Sequence, residues 1–276
     1  MPMKPAMLLI AAALAVAPPA WAAGPATPTA AAAAIYDPAT QGFLLARRAG
    51  LHLPVASLVK LMTARLAIEA DEPSLSLSVP SAVTLLPQTK VGLVPGQRVT
   101  MATLISAMLI HSGNDAAVTV AVALGGSEAG FAGQMNAAAA AIGLTQTHYV
   151  DSTGLDAPGQ YSSAHDVALL AAADLGLPGF AAIVDQPDVV VGGVTYRSVN
   201  PFLAYYPAAT GIKTGFTSEA MFCLAASATR SGETLIAVVL GEPSWAAADA
   251  DAASLLDWGF AQSPAAAVPA AAPAGS

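Results

Sequence analysis

The stretch "AMFCLAASATRSGETLIAVVLGE", Ala220 to Glu242, sets two apolar runs of strand length on either side of Ser231-Gly232-Glu233, a turn-forming triplet. It reads as two strands of an antiparallel sheet. Upstream, "VVVGGVTYRSV" from Val189 and "TGIKTGF" from Thr210 carry the same strand character. A matching signal lies near the other end of the chain, where "AAAIYD", the turn "PATQG" and "FLLARR" form a hairpin pattern. Everything between turns helical: Ser57 to about Ala70, Ala102 to Ile110 after Thr100, Asp115 to Leu124, Glu128 to Ile142 after Ser127, and Ala164 to Leu175 after Ser163. Each has an apolar face, and most have a polar starter. A last amphipathic helix runs from Trp245 to Phe260. Strands, helices, strands, helix is the order of an α/β (α+β) fold, with one antiparallel sheet built from both chain ends and a helical lobe inserted in the middle. Sites form where two such lobes meet.

The two ends lie outside that pattern. In "MPMKPAMLLIAAALAVAPPAWAAG", Lys4 precedes an apolar run and then a small-residue site at Ala20-Trp21-Ala22, the order of a secretory signal over residues 1–22. Export to a bacterial periplasm follows. An Ala/Pro-rich linker is expected over 23–30, a catalytic domain over 31–261, and an Ala/Pro-rich disordered tail over 262–276. The 276-residue chain is 55% hydrophobic with mean hydropathy +0.60, yet beyond the leader it holds no run of spanning length.

Charge and cysteine usage narrow the partners. Without the leader the chain keeps 9 basic and 18 acidic side chains, which argues against nucleic acid. Cys223 is alone and sits in an apolar run, so it reads as a buried structural residue. His52, His111, His148 and His165 are scattered and form no metal pattern, and no metal or cofactor is expected.

Three short motifs carry chemistry. Ser57-Leu58-Val59-Lys60 puts a hydroxyl and an amine three positions apart on one helical face. A serine needs a group to take its proton, and a buried lysine that has lost its own can do so. By itself the pattern also describes a helix start beside a surface lysine. Ser112-Gly113-Asn114 falls between two apolar helices, either as a capped turn or as polar groups facing a cleft. Lys213-Thr214-Gly215 stands in a strand pattern, either as a charge guarding a sheet edge or as a site. SxxK, SxN and KTG in this order form the set of penicillin-binding proteins and serine β-lactamases.

With those motifs, the segments "VTMATLISAMLIHSGNDAA", "GLTQTHYVDSTGLDAPGQYSSAHDVALLA" and the ending "LLDWGF", the chain resembles the serine D-alanyl-D-alanine carboxypeptidases from about Ala31 to Phe260. The resemblance implies a β-lactamase/transpeptidase-like fold and removal of the terminal D-alanine from peptidoglycan stem pentapeptides. It implies Ser57 as the acylated nucleophile, Lys60 as its base and Ser112 as a proton relay. Asn114 would bind the substrate peptide, and Lys213 and Thr214 its terminal carboxylate. Gly215 would let the substrate backbone lie close, and the N–H groups of Ser57 and Phe216 would form the oxyanion hole. β-Lactam antibiotics would acylate the same serine.

There are departures from the family pattern. Gln88-Thr89-Lys90 replaces a Gly-Ser form near the cleft, and Val59, expected to face the core, replaces a threonine or alanine. The tail lacks basic residues, so no membrane anchor is expected. Rival readings are a D-alanyl endopeptidase, a β-lactamase and an inactive wall-binding homologue. None of the six glutamates begins a Glu-x-x-x-Asn stretch between the second and third motifs, which counts against a class A β-lactamase. Gly125 to Ala129 approaches G-x-S-x-G but ends in alanine, and Ser127 there is expected to cap a helix.

Overall fold

A computed structural model describes residue 25 and residues 27–87 and 89–262. The signal at 1–22, the first part of the linker, Gln88 and the tail from 263 onward lie outside the described residues. In chain order the elements are β1 (Ala32–Asp37), β2 (Gly42–Arg47), a 3₁₀ turn (Ala56–Val59), α1 (Lys60–Glu69), β3 (Ser76–Ser78), β4 (Arg98–Thr100), α2 (Met101–Ile110), α3 (Asn114–Gly125), α4 (Glu128–Ala141) and α5 (Ala164–Leu175). They continue as α6 (Phe180–Val184), β5 (Asp188–Val191), β6 (Val194–Arg197), α7 (Phe202–Tyr205), β7 (Ala209–Thr217), β8 (Met221–Arg230), β9 (Glu233–Glu242) and α8 (Trp245–Gln262).

The main sheet is antiparallel in the order β2-β1-β9-β8-β7, so the hairpin at each chain end meets the other at the β1–β9 pair. The central strands β1, β9 and β8 are covered on both faces through their middles, which is why those stretches read as apolar runs. Side chains alternate between two cores with the two-residue period of the pleat. Leu235, Ala237 and Val239 of β9 pack on α8, while Ile236, Val238 and Leu240 point into the helical lobe. Gly259 of α8 lies close enough to the sheet that an added Cβ would stand 2.9 Å from Leu235 Cδ1.

Helix starts follow their polar residues: Thr100 accepts from Thr103 N at 3.3 Å, Ser127 from Gly130 N at 3.0 Å and Ser163 from Asp166 N at 3.0 Å. Three local readings change. "VVVGGVTYRSV" does not join the main sheet but pairs with itself as the β5–β6 hairpin. The helix expected from Ser57 begins instead as the 3₁₀ turn, and α1 proper starts at Lys60. Thr29, within the expected linker, is fastened to the domain, its Oγ1 donating to Glu242 Oε2 at 2.6 Å. No single helix among the described residues is long and apolar enough to cross a membrane.

Candidate active site

The motif serine stands on a strained turn gripped from two sides. Ala56, just before it, has φ +48°, a left-handed conformation that alanine rarely adopts. Gly154, itself at φ +83°, lies so close that a Cβ there would sit 1.9 Å from the Ala56 carbonyl oxygen. From the other side Gly215 of β7 approaches, where a Cβ would be 2.9 Å from both Ser57 N and Val55 O. The place an added Cβ would occupy at Gly215 is thus filled by the serine turn, while the backbone of Gly215 still lines the cleft.

The 3₁₀ geometry also explains the three-residue spacing. Side chains at i and i+3 eclipse one another in such a turn, and Lys60 Nζ accordingly lies 2.9 Å from Ser57 Oγ. Lys60 is fully buried and also donates to the Thr153 carbonyl oxygen at 2.6 Å. Burial lowers its pKa to about 7, against the opposing pull of the Asp151 and Asp115 carboxylates. Val59 is buried, in keeping with the core position expected of it.

The second motif occupies the break between α2 and α3. Ser112 adopts φ +64°, and Gly113 N closes back on Ala107 O at 3.1 Å. Asn114 then opens α3, its N–H donating to Thr89 O at 2.8 Å. Asp115 supports this corner by accepting from Val91 N at 3.1 Å and Leu93 N at 2.9 Å. The third motif lies on β7, at the open edge of the sheet. Its lysine is no surface guard: Lys213 is 1% exposed and donates to Thr214 O at 3.0 Å. Burial drives its pKa well below the ordinary lysine value, and the charge of Lys60 adds to the effect. Two buried amines near one another make it costly for both to be charged.

A cleft of about 200 Å³ connects the three motifs, lined by Ser57, Ser112, Thr214, Gly215 and Phe216 together with Thr89, Val199 and Trp245. Phe216 is half exposed at its rim, and its ring lies 4.5 Å from that of Phe222, which in turn lies 4.9 Å from Trp245. Two parts of this arrangement went unread in the sequence. Trp245 lines the cleft from the start of α8, and nothing in its local sequence signals that. The loop Asp151-Ser152-Thr153-Gly154 is legible as an Asx turn. Its meeting with Lys60 lies 93 residues away in sequence and has no local signature. Cys223 is buried on β8, where burial pushes its thiol up to about 12.

A family model described as D-alanyl-D-alanine carboxypeptidase, peptidase S11, matches residues 20–244. The D-alanyl-D-alanine carboxypeptidase DacB2 of Mycobacterium tuberculosis H37Rv is 35% identical over 228 residues, covering 78% of this chain and 77% of that protein. The carboxypeptidase DacF of Bacillus subtilis is 32% identical over 221 residues, covering 76% of this chain and 57% of the relative, so the chain spans little more than half of its length. Among solved structures, the D-alanyl-D-alanine carboxypeptidase of M. tuberculosis H37Rv superposes with TM-score 0.82 at 30% identity, over 88% of this chain and 96% of that one. Penicillin-binding protein D2 of Listeria monocytogenes, solved in an ampicillin-bound form, superposes with TM-score 0.76 at 32% identity, over 84% and 98%. The fold is thus the transpeptidase/β-lactamase fold of the penicillin-binding proteins. Within it, the chain belongs to the D-alanyl-D-alanine carboxypeptidase family, peptidase S11.

Proposed function

We propose that this protein is an exported serine D,D-carboxypeptidase that removes the terminal D-alanine from peptidoglycan stem pentapeptides. The observation that carries the reading is Lys60 Nζ, buried and 2.9 Å from Ser57 Oγ, with a pKa brought down to about 7. An uncharged amine at that distance takes the hydroxyl proton as the oxygen attacks the penultimate D-alanine carbonyl. The N–H groups of Ser57 and Phe216 receive the developing oxyanion, a contribution of about 10² to 10³ in rate per donor in comparable sites. Ser112 passes the proton on to the departing D-alanine, and water then releases the acyl-enzyme. Asn114 hydrogen-bonds the substrate peptide. Lys213 and Thr214 take the terminal carboxylate, whose charge favours the ammonium form that burial opposes. β-Lactams, which mimic acyl-D-alanyl-D-alanine, acylate Ser57 and leave slowly.

The leader pattern at 1–22 and the motif set together favour action in the periplasm, where this substrate is met. Incubation with a stem pentapeptide, and separately with a cross-linked dimer, tests the reading. Free D-alanine from the pentapeptide and intact dimer are expected. Dimer cleavage without release of free D-alanine makes the protein an endopeptidase, and rapid multiple turnover of nitrocefin makes it a β-lactamase.

A further inference from the structure

Glu128 is the first residue of α4, yet its carboxylate serves another part of the fold. Oε2 accepts from Ser152 N and Oε1 from Ser152 Oγ, both at 2.9 Å, across 24 residues of sequence. Ser152 is fully buried, and its carbonyl oxygen accepts from Thr63 Oγ1 of α1 at 2.8 Å. The next residue, Thr153, presents the carbonyl that receives a hydrogen from Lys60. Asp151 closes the same loop from inside, its Oδ1 accepting from Thr153 N at 2.6 Å and Gly154 N at 2.8 Å.

This loop matters because of what a lysine base requires. A neutral amine has one lone pair, and it acts on Ser57 only if that lone pair, rather than an N–H, faces Oγ. An acceptor that fixes one N–H elsewhere limits the rotation of the amine. The Thr153 carbonyl is such an acceptor, and its position depends on how firmly the loop is anchored. We infer that Glu128 is a positioning residue for acylation: by holding Ser152 it fixes the Thr153 carbonyl, and through it the orientation of Lys60. This rests on the reading of Ser57 and Lys60 as nucleophile and base. Burial raises the pKa of the Glu128 carboxyl, and repulsion from Asp151 adds to that, so the negative charge is held there against a cost that the Ser152 bonds offset.

The test is the rate of Ser57 acylation by a fluorescent penicillin, expressed per titratable site and followed from pH 5 to 9. Glu128→Ala is expected to slow acylation by about 10- to 100-fold, the scale of a small misplacement of a reacting group. It is also expected to move the inflection near pH 7 downward, because an ammonium that loses an acceptor is less favoured. Glu128→Gln keeps a partner for each Ser152 bond and should restore most of the rate. Ser127→Ala weakens the same helix start without touching Ser152, and should lower stability while leaving rate and inflection unchanged. Wild-type rate and inflection in a folded Glu128→Ala protein overturn the inference. So does a Gln variant no faster than Ala, or an equal pH shift in Ser127→Ala. Should Glu128→Ala not fold, Ser152→Ala deletes one of the two bonds and must show both changes at smaller size; unchanged behaviour there also overturns it. Failure of the wild type to label at all rejects the reading of the site itself, an outcome distinct from these.

Discussion

Ser57→Ala is expected to give no covalent band with a fluorescent penicillin, and Lys60→Ala to acylate about 10² to 10⁴ times more slowly than wild type, the usual cost of deleting a general base. The first change removes the nucleophilic oxygen itself, and the second removes the amine that lies 2.9 Å from it. A serine hydroxyl alone is a weak nucleophile at neutral pH, and the fully buried Lys60 is the amine in contact with it. The pH dependence follows with a definite sign. Burial lowers the Lys60 pKa to about 7, so the competent, neutral form gains population as pH rises through that value. Acylation should therefore fall about tenfold per unit on the acid side and level off above the inflection. A rate flat from pH 5 to 9, or a Lys60→Ala protein that labels as fast as wild type, removes lysine from the role of base.

The second large effect is expected at a residue that touches no substrate. Gly154→Ala places a methyl group 1.9 Å from the Ala56 carbonyl oxygen and 3.0 Å from Ser57 N, a collision with backbone that no rotamer relieves. The loop or the serine turn has to move, and either shift breaks the alignment of Ser57, Lys60 and the Thr153 carbonyl. A loss of about 100-fold or more in acylation is expected, with a stability cost of about 1 to 3 kcal/mol from the left-handed backbone and the overlap. Gly159→Ala separates the two contributions. It has nearly the same backbone, φ +87°, but its Cβ meets only Val150 Cγ2 at 4.0 Å. It should cost about 1 kcal/mol and acylate normally. Melting temperature and labelling rate measured on both variants provide the check, and a Gly154→Ala protein that labels normally shows that the turn tolerates displacement.

Much of the fold is legible because its signals are local. Ser127 and Ser163 are short polar caps directly before apolar helices, and α4 and α5 begin at the next residue in each case. β8 and β9 are largely apolar through their buried middles, Cys223 to Ala228 and Leu235 to Leu240, because both faces of the sheet are covered there, and a turn triplet separates them. The β5–β6 hairpin carries the same strand propensity as the main sheet. Nothing within its residues says which partner it will take, so its separation from β7 was not readable.

The site divides the same way. The three motifs are short stretches whose residue types state their chemistry, so each is readable from its own residues: a hydroxyl beside an amine, a polar break between helices, and a lysine with a bare glycine in a strand. The remainder came with folding, which buried Lys60 and Lys213, brought the carbonyl of Thr153 to the amine, and lodged Gly154 and Gly215 against the serine turn. The reason is physical. A side chain's chemical type is a property of one residue, whereas its pKa, its orientation and the space around it depend on neighbours that the folded chain delivers from far along its length.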